Sequence, residues 1–169
     1  MYGYRCCIHI VLLFLCFFLT QGSLLAQTSG EEFAMNAGLN GNWYGGPERN
    51  FEGFNIEVSE TDDGQVLVAT MFGYNSDGTA IWLLAVGTIE GNAAAEMTVY
   101  IYNGGGWGEH FYPALEEVWG SASIVANSCN SISVSMTVNS YFVYEGFTDA
   151  SFELERVTHP IIPCPYPPN

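Results

Sequence analysis

Residues 65–89 hold two apolar runs about one polar turn, and few folds accommodate such a stretch. Val66 to Tyr74 and Thr79 to Ile89 are rich in β-branched and aromatic residues, with Asn75-Ser76-Asp77-Gly78 between them. Runs of that kind about a turn that tolerates positive φ predict an antiparallel strand pair. Both faces of the pair are apolar. Val66, Val68, Thr70, Phe72 and Tyr74 alternate with Leu67, Ala69, Met71 and Gly73, while Trp82, Leu84 and Val86 alternate with Ile81, Leu83 and Ala85. Such strands are expected to be covered on both sides, or to sit in a barrel whose outer wall is itself covered.

The same two-residue period recurs on either side of this pair. Phe54, Ile56 and Val58 alternate with Asn55, Glu57 and Ser59, and residues 60–65 (ETDDGQ) read as the turn into the central pair. Met97, Val99 and Ile101 mark a strand over 95–102, and residues 118–126, 131–140 and 146–157 predict three more. Gly41-Asn42-Trp43-Tyr44-Gly45-Gly46-Pro47 places two aromatics between glycines, which suits a tight backbone approach or a bend, with Trp43 plugging one end of the sheet structure. Residues 103–117 contain Gly104-Gly105-Gly106 and predict a loop. No run of ten residues beyond the leader has helical periodicity. The fold class expected is therefore all-β, an antiparallel meander of about eight strands. A small up-and-down barrel is favoured because closure removes exposed edges, and a β-sandwich is the alternative.

The termini set the expected domain plan. Arg5 precedes an apolar run over 10–19, and Ser23-Leu24-Leu25-Ala26 offers small residues for cleavage, the pattern of a secretory signal peptide over 1–26. That run falls short of the roughly 20 apolar residues a spanning helix needs, so no membrane span is expected after cleavage. Residues 27–40 read as a linker, 41–158 as the β-domain, and 159–169, with five prolines, as a tail that cannot enter a sheet interior. The implied location is extracytoplasmic, secreted or periplasmic. Cleavage removes Cys6, Cys7 and Cys16 and leaves Cys129 and Cys164. In an exported chain these predict one disulfide, closing a loop of about 36 residues and contributing about 3–4 kcal/mol. Two free thiols are the alternative.

Charge narrows the partners. The chain has 18 acids, no lysine and three arginines, for a net charge of −15. Such a surface repels phosphate backbones and anionic lipid, which argues against nucleic-acid and membrane-surface partners. It serves solubility, or it meets a cation or cationic partner.

Catalytic and metal patterns are weak. There is no Gly-x-Ser-x-Gly nucleophile elbow, and His110 and His159 are far apart in sequence. Glu109-His110 beside Trp107 is the best acid–base pair, with a solvated loop pair as the plainer reading. Glu116 and Glu117 point opposite ways if extended. Asp62-Asp63-Gly64 and the 75–78 turn lack the further acid of a calcium loop. No metal, cofactor or catalytic residue is assigned. Trp107, Phe111 and Tyr112 are the aromatics least needed for a core. With Glu109 and His110, and with Trp43 from the adjoining mouth, they suit a stacking platform for a sugar or another flat ligand.

Gly41-Asn42-Trp43-Tyr44, residues 53–58 (GFNIEV), residues 74–84 (YNSDGTAIWLL), Trp119-Gly120 and Cys129-Asn130-Ser131 together resemble a repeat of exported bacterial proteins. That repeat occurs alone, in tandem or appended to secreted hydrolases. The resemblance spans 41–158 and implies an exported accessory β-domain, with no catalytic residue carried over. The early Gly-x-Trp ahead of a meander is also similar to lipocalins and avidins. The function expected is a secreted, non-catalytic domain that binds a small or glycan-like ligand through the aromatic loop at the barrel mouth. The alternatives are a structural or protein-interaction module and, less favoured, a hydrolase.

Overall fold

A computed structural model of the protein describes residues 33–49, 52–106, 108, 112–158, 162 and 164. The signal-peptide reading of 1–26 therefore lies outside the described residues, as does most of the proline-rich tail.

Eight strands follow one another as an antiparallel meander: β1 (Gly41–Tyr44), β2 (Gly53–Thr61), β3 (Gly64–Tyr74), β4 (Ala80–Thr88), β5 (Ala93–Gly104), β6 (Ala114–Ser128), β7 (Ser131–Val138) and β8 (Ala150–Arg156). Each pairs with the next. β1 also pairs with β8, Trp43 opposite Arg156 and Tyr44 opposite Glu155, so the sheet closes on itself as a ring. This seam is short. Above it side chains carry the contact, with the Arg49 guanidinium 4.0 Å from the Phe152 ring centre and Phe152 5.6 Å from Phe54.

The two-residue period decides which side chains fill the ring. Phe54, Ile56 and Val58 of β2, Leu67, Ala69 and Met71 of β3, and Leu83 and Ala85 of β4 are buried inside. Ile124 of β6, Ile132 and Val134 of β7 and Leu154 of β8 meet them from the far wall. β5 departs from strict alternation by a bulge between Ala94 and Met97 that turns both inward, with Glu96 at φ 54° absorbing the extra residue. At Gly120 a Cβ would collide with the Thr137 carbonyl oxygen, so a glycine is what lets β6 and β7 approach there.

Four expectations change. First, the β5–β6 ladder runs on through Tyr102–Glu116, Asn103–Leu115 and Gly104–Ala114, so the loop expected over 103–117 shrinks to 105–113. Cross-strand bonds sustain the extension: Tyr102 Oη donates to Glu116 Oε2 at 2.8 Å and Asn103 Nδ2 to Glu117 Oε2 at 3.3 Å. Second, residues 33–40 are not a linker. Asn36 caps a short 3-10 helix (Ala37–Leu39), Met35 and Leu39 are buried, and the Met35 amide donates to Gly91 O at 2.9 Å. Two apolar residues one turn apart among small ones are too slight a pattern to read as a plug.

Third, β7 stops at Val138. The Asn139 side chain accepts from the Tyr141 amide and starts a one-turn helix, α1 (Ser140–Val143), that carries Phe142 into the core. Fourth, the outer wall of the central pair is not covered by described residues. Phe72, Tyr74 and Trp82 are each about half exposed, Phe72 opposite Trp82 and Trp82 6.1 Å from Tyr102. Neighbouring rings screen one another there in place of a covering layer.

Cys129, in the β6–β7 turn, and Cys164 lie at disulfide distance with Cα atoms 5.6 Å apart. No described helix is long and apolar enough to cross a membrane.

Candidate functional site at the open end of the ring

Strand direction sorts the connections into two ends. Turns 62–63, 89–92 and 129–130 lie at one end, with the 33–40 segment across it. Connections 45–52, 75–79, 105–113 and 139–149 lie at the other. The two ends differ in how they treat their tryptophan.

At the first end Trp43 is fully buried, and its indole Nε1 donates to Leu39 O at 3.0 Å. Arg156 lies over its ring and donates to four nearby carbonyls: Cys129 O at 2.7 Å, Gly38 O at 2.8 Å, Thr158 O at 3.2 Å and Asn40 O at 3.5 Å. Burial lowers the Arg156 pKa from its ordinary value, while these carbonyls and the π face hold the charge in place. This end is closed. Trp43 plugs it as expected but faces away from the connections at the other end.

At the second end Trp119 of β6 is also buried, and its ring packs edge-on against Phe147, 5.6 Å between centres. The Asn139 amide donates to Trp119 O at 2.8 Å, tying the start of α1 to β6, and Phe142 backs Phe147 at 6.2 Å. Beside Trp119 opens a cavity of about 230 Å³ whose wall includes Glu52, Tyr74, Ile81, Trp119 and Phe147. Arg49 also borders it, with Nε 2.7 Å from Glu52 Oε2.

Among the described residues, two buried side-chain polar atoms have no hydrogen-bond partner: Glu52 Oε2 and Trp119 Nε1. Both residues line this one cavity. Arg49 Nε, 2.7 Å away, neutralises the Glu52 charge, which leaves Trp119 Nε1 as the atom without a partner among the described residues. An unmade hydrogen bond at a buried polar atom costs about 1–3 kcal/mol.

Trp107, Glu109, His110 and Phe111, the core of the expected aromatic platform, lie outside the described residues. Tyr112 is exposed just before β6, in the connection that leaves this same end of the ring, and Trp43 does not line the cavity. Glu52, Tyr74, Phe147 and Trp119 were not expected as site residues. Trp119 reads as core from its strand, and nothing local reveals that its indole N–H goes unpaired. The 75–79 connection satisfies itself as an ordinary turn: Asn75 Oδ1 accepts from the Asp77 and Thr79 amides and Asp77 Oδ1 from Thr79. These bonds to Thr79 hold the Asp77 carboxyl below its usual pKa. Among the described residues no group of three or more His, Cys, Asp and Glu side chains is placed to hold a metal ion.

Neither a family model, nor a curated protein, nor a solved structure matches this chain.

Proposed function

We propose that the protein is an exported, non-catalytic β-domain that binds a small or glycan-like ligand at the open end of the ring. The observation that carries this reading is the cavity of about 230 Å³ beside Trp119, whose wall combines Ile81, Trp119 and Phe147 with Arg49 and Glu52. Binding sites combine apolar walls with a few placed polar groups in this way. The connection 105–113, with its four aromatic and acid–base candidates and Tyr112, leaves the same end and supplies the outer part of the contact. Eight-stranded rings are filled by side chains or hold one small ligand, and the likeness of Gly41-x-Trp43 to lipocalins and avidins agrees with that use. Export is supported by the Cys129–Cys164 proximity, since a disulfide persists in oxidising compartments.

A thermal-shift and NMR titration of residues 27–169 against a panel of glycans and small molecules tests the reading. Trp107→Ala and Tyr112→Ala are expected to weaken whatever binds. Binding unaltered by both would remove the loop from the site.

A second reading, a protein-interaction module, is favoured by the half-exposed outer wall of Phe72, Tyr74 and Trp82. Exposed aromatic clusters of this kind mark contact surfaces. Sedimentation of the protein alone and with its native secretome distinguishes this reading, which expects a complex lost on Trp82→Ala.

A further inference from the structure

We infer that the open stretch of the β1–β8 seam takes an extended basic segment of another protein as an added strand, laid beside Ser151 and Glu153. This contact is separate from the cavity beside Trp119 and does not depend on a ligand there.

The seam is paired at one end and free at the other. Trp43 lies opposite Arg156 and Tyr44 opposite Glu155, and the Val157 amide donates to Asn42 O at 3.0 Å. In an antiparallel strand both backbone groups of one residue point to one neighbour, and those of the next residue point to the other. Val157 and Glu155 thus face β1, and Glu153 and Ser151 face the same way, while Phe152 and Leu154 face β7. β1 has already ended there. Gly46, at φ 84°, turns the chain off the line of the strand and into a short 3-10 helix, Pro47–Arg49. Among the described residues nothing pairs with the N–H and C=O groups that Ser151 and Glu153 present on this side.

The matching gap at the closed end is filled. β2 also runs on past β1, but its Val58 amide donates to Asn40 Oδ1 at 2.7 Å. Beside β8 there is instead an open groove of about 560 Å³. Residues 45–49 wall it on one side, and Ser151, Phe152, Glu153 and Glu155 on the other. An unpaired strand edge is a template for a further strand, and a groove along it gives that strand a seat.

Charge and pleat set what the segment must be. Glu48, Glu153 and Glu155 are exposed along the groove. Glu153 is held on the outer face by Ser133 Oγ at 2.6 Å and Asn127 Nδ2 at 3.1 Å. Arg49, the cation in the wall, is paired with Glu52 and lies against the Phe152 ring. A second copy of this chain would bring acid to acid, since its net charge is −15 and it has no lysine. The occupant is therefore a foreign segment with lysine or arginine at alternate positions. The side chain directly opposite Glu153 stands beside it on the outer face. Its neighbours in sequence turn inward toward Phe152 and are small or apolar.

The test is an NMR titration of residues 27–169 at low salt with capped peptides TxKxKxT, where x is Ala, Val or Phe. One control replaces both lysines by glutamate. The other methylates both lysine backbone nitrogens, which keeps the charge and removes the donors aimed at the edge. At least one lysine peptide is expected to bind and to protect the Ser151 and Glu153 amides from hydrogen exchange. The Phe152 and Leu154 amides, already in the β7 ladder, should keep the protection they had. Ser151→Pro removes one N–H that faces the seam and none that faces β7, and is expected to weaken binding at least about tenfold. Glu155→Gln is expected to weaken it less, with the difference vanishing at high salt. Should Ser151→Pro not fold, the methylated peptide decides the same point from the other side of the contact. No binding by any lysine peptide would overturn the site. Glutamate peptides that bind as tightly would overturn the basic class. Methylated peptides that bind as tightly, or binding without protection at Ser151 and Glu153, would overturn the added strand.

Discussion

The Arg156 guanidinium carbon lies 4.4 Å from the centre of the Trp43 ring, and the two residues face each other across the short β1–β8 seam that closes the sheet. One side chain thus joins the last strand to the first, to the 33–40 plug and to the Cys129 turn. Arg156→Ala would leave the Cys129 and Gly38 carbonyls without their donor and uncover the indole. The expected loss is about 2–4 kcal/mol, read as a lowered urea midpoint with a red-shifted tryptophan emission. Arg156→Lys is expected to recover only part of it, since an ammonium cannot reproduce the planar fork.

Gly120 and Gly46 separate two reasons for a glycine. A Cβ at Gly120 would run into the Thr137 backbone, which cannot move without opening β6 from β7. Gly46 has open space around it but a φ of +84°. Gly120→Ala is therefore expected to lower stability by about 2–3 kcal/mol or more through overpacking. Gly46→Ala should cost only about 1 kcal/mol, the strain of a left-handed alanine. Thermal melts of the two variants rank them.

The hydroxyl of Tyr102 donates to Glu116, and this bond, followed by desolvation and the nearby negative charge, raises the tyrosine pKa above its ordinary value. A pKa raised on folding means that the contribution is complete below the unfolded tyrosine value of about 10 and fades as pH climbs through the higher folded one. Tyrosine ultraviolet titration is expected to contain a late component that disappears in Tyr102→Phe. Fraying of the β5–β6 extension beyond Ile101 should follow the same component in amide exchange.

Cys129 and Cys164 are expected to be bonded in protein recovered from an oxidising compartment, seen as a peptide pair by mass spectrometry without reduction. Cys164→Ser should lower stability by about 3–4 kcal/mol, the loop-closure value for a loop of this length. Because Arg156 Nε donates to the Cys129 carbonyl, this loss and that of Arg156→Ala are expected not to add.

Alternation along Val66–Tyr74 and Ser131–Val138 was enough to name the strands, their antiparallel order and the side chains that face inward, because a two-residue period is written in neighbouring residues. The expected disulfide partners and the plugging role of Trp43 were legible for similar reasons: few cysteines, and a tryptophan between glycines. Where the period weakens, the reading failed. The β5–β6 extension depends on cross-strand pairs such as Tyr102–Glu116, and the 33–40 plug depends on the ring it covers. The candidate site belongs wholly to this second kind. Trp43 and Trp119 are both buried tryptophans on strands of this meander, yet one indole N–H finds Leu39 O and the other finds no partner among the described residues. Trp43 finds its acceptor four residues away, whereas Glu52 and Trp119 come from distant parts of the chain, so only the closed ring sets both residues beside one cavity.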